Sequence, residues 1–412
     1  PILYLPGVSR NDLRAVESCP EALQPLAELQ YRGLFWSQKS SRDWTVSAFL
    51  QNADAGLALP VDGGNATREA LKLALRTLAV TPVARLRDPR VIDDSFLHGL
   101  VDPDPVSRLL RWLNNPAAEQ AAMAPEVWSS FSQRLRKEYG VDPDKDGPIT
   151  AARKLGERKG SWQPIWQRFA EGATSYPGIS ELLRQASPPH TRSMLEASLP
   201  WPGSDDPLSS WPGVNQGLEI GVRDELAQLR QASQEEARAA IVELERMHGP
   251  RRDWLWARLG QAPLARALQP LARLAEAGAQ SLLGMSVNEL AASFAAAGWQ
   301  VDAAAIEALL AVGEASTLDQ QAVKGAVDGL YRPWLAQLAL RFQELAGVEG
   351  SYQTPPPPQA EPGTCLLFCD GLRFDLGQRL GAAVAKHQPT SDIGFRLAAL
   401  PTLTPTAKPA RS

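Results

Sequence analysis

The chain has 412 residues, 44% of them hydrophobic and 21% charged, with 42 basic against 46 acidic side chains and a net charge of −4. That composition excludes a disordered or fibrous chain, suggests about two or three domains by length, and argues against a protein that is basic all over. Three cysteines, Cys19, Cys365 and Cys369, cannot build a disulfide framework or a four-cysteine zinc site, and the four scattered histidines form no metal cluster of their own. No run of about 18 apolar residues is present to span a bilayer. The opening Pro1 to Pro6 lacks the basic and long apolar segments of an export signal, so a cytoplasmic location without membrane attachment is expected.

In chain order, the apolar run Ile2 to Leu5, ended by Pro6-Gly7, predicts a buried strand, a turn and then a helix around Asn11 to Glu17. A strand needs neighbours, so residues 1–100 are expected to form an incomplete N-terminal α/β region. Leu23, Leu34, Phe35, Trp36, Trp44 and Phe49 predict a mixed apolar and aromatic core there. After the turn Asp62-Gly63-Gly64, Asn65 or Thr67 is placed to cap a helix running through Leu71, Leu75 and Leu78.

Residues 101–350 read as a helical region, because apolar side chains recur at three- and four-residue spacing among Ala, Leu, Glu, Gln and Arg. Helices are expected near 105–114, 126–139, 161–171, 219–247, 251–260, 263–282, 286–298, 302–312 and 317–346, with a Pro-rich break near 187–215. Residues 351–363 carry four consecutive prolines and predict a semi-rigid linker.

Residues 364–412 hold the segment that carries chemistry. Cys365 to Cys369 is an apolar run bounded by Pro362-Gly363 and Asp370-Gly371, the pattern of a central parallel strand. Leu372, Leu376, Leu380 and Val384 follow at helical spacing, and Ile393 to Leu400 reads as a second strand. In a β-α-β unit, ligands collect beyond the C-terminal ends of the strands, which puts Asp370 and the turn Thr402 to Thr406 at one rim. A carboxylate beside a hydroxyl suits a divalent cation, which can stabilise a threonine alkoxide and neutralise phosphoryl charge. The fold expected overall is α/β with a large all-α middle region.

Cys369-Asp370-Gly371-Leu372-Arg373-Phe374-Asp375, followed by Leu400-Pro401-Thr402-Leu403-Thr404-Pro405, resembles the opening of a PglZ domain. This is a branch of the alkaline phosphatase superfamily found in the phage-defence systems called BREX. Tyr4 to Arg10, Leu23 to Trp36 and Arg42-Asp43-Trp44 resemble the N-terminal part of the same proteins. The resemblance covers the two ends of the chain, about fifty residues each. It implies a metal-dependent phosphoric-ester hydrolase with an alkaline-phosphatase-like parallel sheet, with Asp370 as a metal ligand and Thr404 as metal-coordinated nucleophile. It also implies divalent ions, zinc first among them, and as partners the methyltransferase and ATPase components of BREX. The superfamily's remaining Asp and His ligands come from strand ends well downstream of the nucleophile, so with the chain ending at Ser412 the site is expected to be incomplete and this fragment inactive.

Blander readings stand beside these. Asp375 in the first turn of a helix is favoured by the helix dipole and is expected to be structural rather than a ligand. Cys365 and Cys369 read as small core residues, and Thr402 and Thr406 as turn residues. Basic clusters at Arg134, Arg136 and Lys137, at Arg153 to Lys159, and at Arg251, Arg252 and Arg258 around Trp254 and Trp256 suit nucleic acid, but read first as solvated helix faces with tryptophans in the core. A non-enzymatic scaffold that binds defence partners through its helices is the competing function, and a nucleic-acid-binding module, with DNA as partner, ranks third.

Overall fold

Every regular element is helical among the residues that the structure, a computed structural model, describes: 10–13, 16–31, 45–53, 56–188, 198–280, 284–349, 362–363, 365, 369, 371–387 and 393–397. The only β feature there is an isolated parallel bridge between Val61 and Ile92. The expected α/β class is therefore corrected: among the described residues no parallel sheet is seen, and residues 393–397 run as irregular chain rather than as the second strand. Short apolar runs fit a buried strand and other packed segments equally well, and a strand exists only through ladder hydrogen bonds to a neighbour. The expected first strand, Ile2 to Leu5, and most of 365–369 lie outside the described residues. The two cysteines that can be placed from that run, Cys365 and Cys369, are exposed, against the core role expected for them.

The chain divides into two compact units, Pro1–Ala186 and Ser187–Ser412. The first contains α1 (Gln24–Tyr31), α2 (Val46–Gln51), α3 (Asn65–Val80), α4 (Val83–Leu86), α5 (Asp94–Val101), α6 (Pro105–Asn114), α7 (Pro116–Ala122), α8 (Pro125–Arg134), α9 (Gly147–Glu157), α10 (Trp162–Glu171) and α11 (Pro177–Ala186). In place of the helix expected at 11–17 there are short 3-10 turns, Arg10–Leu13 and Val16–Ser18. Helix α3 starts without Asn65 or Thr67 as its cap; Asp62 instead accepts from the Gly64 amide and from the buried Thr67 hydroxyl, at 3.1 and 2.6 Å. Leu71, Ala74 and Leu78 of α3 then bury against Leu97 and Leu100 of α5.

Helix α6 begins where expected, with the Asp104 carboxylate accepting from the Ser107 amide and Pro105 at the first helical position. Its Leu109, Leu110, Trp112 and Leu113 are all buried. Between α5 and α8, His98 Nδ1 and Ser130 Oγ meet at 2.6 Å in the interior. Burial holds the His98 pKa below the ordinary histidine value. The folded chain thus binds that proton less readily than the unfolded one, and stability from this group is complete above about pH 6.5 and lost as pH falls toward the lowered value. His98→Asn is expected to flatten the acid limb of the stability–pH curve; an unchanged slope in urea titrations between pH 5 and 7, the interval in which histidine ordinarily titrates, would contradict it.

The second unit contains α12 (Pro212–Gln228), α13 (Gln234–His248), α14 (Leu255–Arg258), α15 (Pro263–Ala277), α16 (Val287–Ser293), α17 (Trp299–Ala311), α18 (Thr317–Glu349) and α19 (Phe374–Ala385). Where one helix is expected over 219–247 there are two. The first ends at Gln228 and a 3-10 turn, Leu229–Gln231, and Ser233 starts the second through a capping box, its side chain binding the Glu236 amide while Glu236 binds back. Val222, Ile241, Leu268, Leu271, Ala304, Val323 and Trp334 pack into a core shared by α12, α13, α15, α17 and α18. The helical run Val287–Ala311, which contains α16 and α17, is the one such run among the described residues long and apolar enough to cross a membrane. Its Val301, Ala304, Ala305 and Ala308 belong to that same core.

Candidate functional site

Asp370 and Thr404, with Thr402 and Thr406, lie outside the described residues. The described chain resumes one residue after Asp370. Gly371 has φ +73°, a left-handed conformation suited to glycine, and two residues later Arg373 stands at the N-cap of α19. Asp375, in the first turn, is only 3% exposed, and its Oδ1 accepts from Arg373 Nε at 2.9 Å. The negative charge sits where the helix dipole favours it, in keeping with the structural role expected, but the burial and the bound arginine were not legible from spacing.

Asp375 and Arg373 have company from two other helices. Asp302 of α17 accepts a 2.7 Å hydrogen bond from the Tyr331 hydroxyl of α18. Burial raises the Asp302 carboxyl above the usual carboxylate range, with Tyr331 and Arg373 pulling it down and Asp375 pushing it up. Tyr331 is raised by burial first and then by its bond to Asp302. Arg373 is raised, chiefly by its bond to Asp375, with smaller support from the Asp302 charge. A second polar contact follows along α19, where Arg379 pairs with Glu307 of α17, and Glu307 pairs also with Arg273 of α15.

Beside this cluster is a cavity of 460 Å³ lined by Leu290, Phe294, Leu338, Phe342, Phe374 and Leu397 among others. The Phe294 and Phe374 rings stand 6.1 Å apart at its wall. Its size falls within the range of small-molecule sites, about 300–1,000 Å³, but its lining is almost wholly apolar and brings no nucleophile or base to bear on a ligand.

No group of three or more His, Cys, Asp and Glu converges to hold a metal among the described residues. The aspartates of the loop Asp142, Asp144 and Asp146 have the spacing of a calcium loop but already take protein donors. Asp142 accepts from the Asp144 amide and pairs with Arg136, Asp144 accepts from Trp128 Nε1, and Asp146 accepts from the Asp142 amide. The residues named as metal ligands by resemblance are thus not among those that can be placed, and no metal geometry is derived.

The basic clusters are largely engaged within the fold. Arg134 pairs with Glu138, Arg136 with Asp142 and Lys137 with Asp94, while the buried Arg158 lies over the Trp166 ring. Arg251, expected on a solvated face, is fully buried instead. Its Nη2 donates to Glu219 Oε1 at 2.7 Å and to Asn215 Oδ1 at 2.8 Å, and its Nη1 stands 3.0 Å from His248 Nδ1. Trp254 and Trp256 are buried, as expected.

No family model, no curated protein and no solved structure matches the chain.

Proposed function

We propose that this chain is a PglZ-type component of a BREX antiviral defence system, acting in the cytoplasm with the methyltransferase and ATPase components of that system. The observation that carries the reading is the joint presence of Cys369 to Asp375 and Leu400 to Pro405, together with the N-terminal segments that resemble the same family. In this reading Asp370 and Thr404 belong to a metal-dependent ester-hydrolase site, zinc being the first candidate. The metal would supply charge neutralisation at the phosphoryl oxygens and a lowered pKa for the threonine hydroxyl. The burial of Asp375 and its bond to Arg373 support a fixed conformation for the motif's second half.

A second reading, the non-enzymatic scaffold, is favoured by the wholly helical character of the described residues. One experiment separates the two. In the intact protein, Asp370→Ala and Thr404→Ala are expected to abolish metal-dependent ester hydrolysis and phage protection under the first reading. Protection and metal content equal to wild type would overturn it, and retained protection with undiminished co-purification of the methyltransferase or ATPase would establish the scaffold in its place. DNA retention that falls steeply with salt would instead favour the nucleic-acid-binding module.

A further inference from the structure

The apolar cavity beside α19 is written into the spacing of two helical segments. On α18, Leu335, Leu338, Ala339 and Phe342 fall at the three- and four-residue intervals of one stripe. Across from them Leu290 with Phe294, and Ala291 with Ala295, repeat four apart along α16 and the turn that follows it. Two facing apolar stripes ordinarily interdigitate into core. Here three of the facing positions are alanines, and 460 Å³ between the helices stays open. Leu290 belongs to a buried cluster with Val287 and Leu345 that closes one side, whereas Leu335 and Phe395, also in the wall, are 44% and 46% exposed at the mouth. Two independent features mark the space as more than a packing defect. The helical run Val287–Ala311 is interrupted by a π turn, Phe294–Gly298, whose Phe294 and Ala295 both line the cavity. Such turns are rare inside helices and occur frequently at functional sites. The other feature is a charge. Arg373 and Arg379 nearby are each paired with a carboxylate, but Arg396, which lines the cavity between Phe395 and Leu397, has no such partner among the described residues.

We propose that this cavity binds a small amphiphilic carboxylate, with its alkyl chain between α16 and α18 and its charged end on Arg396. The volume is that of a small-molecule site, the wall offers an alkyl chain only apolar contacts, and the one cation of the lining is free to take an anion. A neutral hydrocarbon would leave Arg396 unused, and a dianion would find no second cation in the wall. The site does not depend on the motif around Asp370; it gives the helical second unit a ligand of its own.

Titration calorimetry on the full chain tests this with decanoate, octanoate and octanol, each below its self-association concentration. One molecule is expected per chain, with decanoate held about tenfold more tightly than octanoate because two more methylenes are buried. Arg396→Gln should weaken octanoate by about three- to fivefold, the worth of a solvent-accessible ion pair, and leave octanol unchanged. Ala295→Leu and Ala339→Leu each place a larger helix-forming side chain in the space. Both should weaken octanoate and octanol by about tenfold or more, while their urea midpoints stay at or above that of wild type, so that the loss is not one of folding. The absence of saturable binding to the wild-type chain would overturn the proposal, and so would wild-type affinity in both leucine variants, since the ligand would then sit elsewhere. An Arg396→Gln variant that binds octanoate as wild type does would overturn the carboxylate. Phosphatidylglycerol vesicles represent the other source of an acyl chain with an anionic group. Retention of the chain on them that decanoate does not displace would overturn a small free ligand in favour of a lipid surface, and displacement by decanoate that is lost in Ala339→Leu would support the site.

Discussion

Replacing Arg251 with Met is expected to destabilise the second unit by about 3–5 kcal/mol, the cost typical of stranding one charge of a buried pair. The network it breaks ties together four elements. Glu219 and Asn215 come from α12, His248 from the end of α13 and Arg251 from the following 3-10 turn, while Glu219 also accepts from the Leu264 and Ala265 amides at the start of α15. The carboxylate therefore caps α15 as well as pairing with the guanidinium. Burial pushes the Glu219 carboxyl up, and Arg251 together with the two amides pulls it back. Without Arg251 the first effect is less opposed, so the folded variant holds a proton on Glu219 more readily than the unfolded chain does. Its stability deficit should shrink on acidification and grow as pH rises through the raised value. Glu219→Gln retains an acceptor for the amides and should cost less alone. The double variant Arg251→Met with Glu219→Gln should lose less than the two singles together, since the stranded charge is gone. Urea unfolding of the four proteins at two pH values measures all of this, and strict additivity would show that the pair is not coupled.

That network also marks where the sequence ceased to be legible. Helix α6 could be read in full because its cap, its first-position proline and its leucine spacing are all local. The break between α12 and α13 was equally local, in the Ser233–Glu236 box, but the apolar periodicity running across it suggested one helix. Arg251 could not be placed by such rules, since its partner Glu219 is 32 positions away and is brought to it only by the packing of α12 against α15. The candidate site divides in the same manner. The motif around Asp370 and the helix after it were visible as pattern, and α19 is present close to the expected bounds. Asp302 and Tyr331 belong to no motif, and only the folded chain brings the two together across α17 and α18. The expected strands rested on apolar runs alone, and run length carries no information about whether a ladder partner exists.

Gly178 offers the sharpest contrast between local propensity and packing. By propensity, a glycine inside a helix should gain about 0.5–1 kcal/mol on conversion to alanine. Pro177-Gly178 opens α11, which is not among the helices expected from the sequence, with the proline at a first helical position. In the fold the Gly178 amide donates to Asn114 Oδ1 at 2.8 Å, drawing the start of α11 onto the end of α6. A Cβ at position 178 would stand 2.0 Å from the Asn114 carbonyl oxygen, which belongs to the backbone and cannot rotate aside. Gly178→Ala must therefore push α11 off α6, where Ile179 and Leu183 are buried, and should cost about 2–3 kcal/mol as overpacking. Gly99 in α5 supplies the control, because a Cβ there meets nothing within 4 Å. Gly99→Ala should stabilise the first unit while Gly178→Ala destabilises it. Urea midpoints moving in the same direction for both would mean that backbone entropy, not the close approach of α6 and α11, governs position 178.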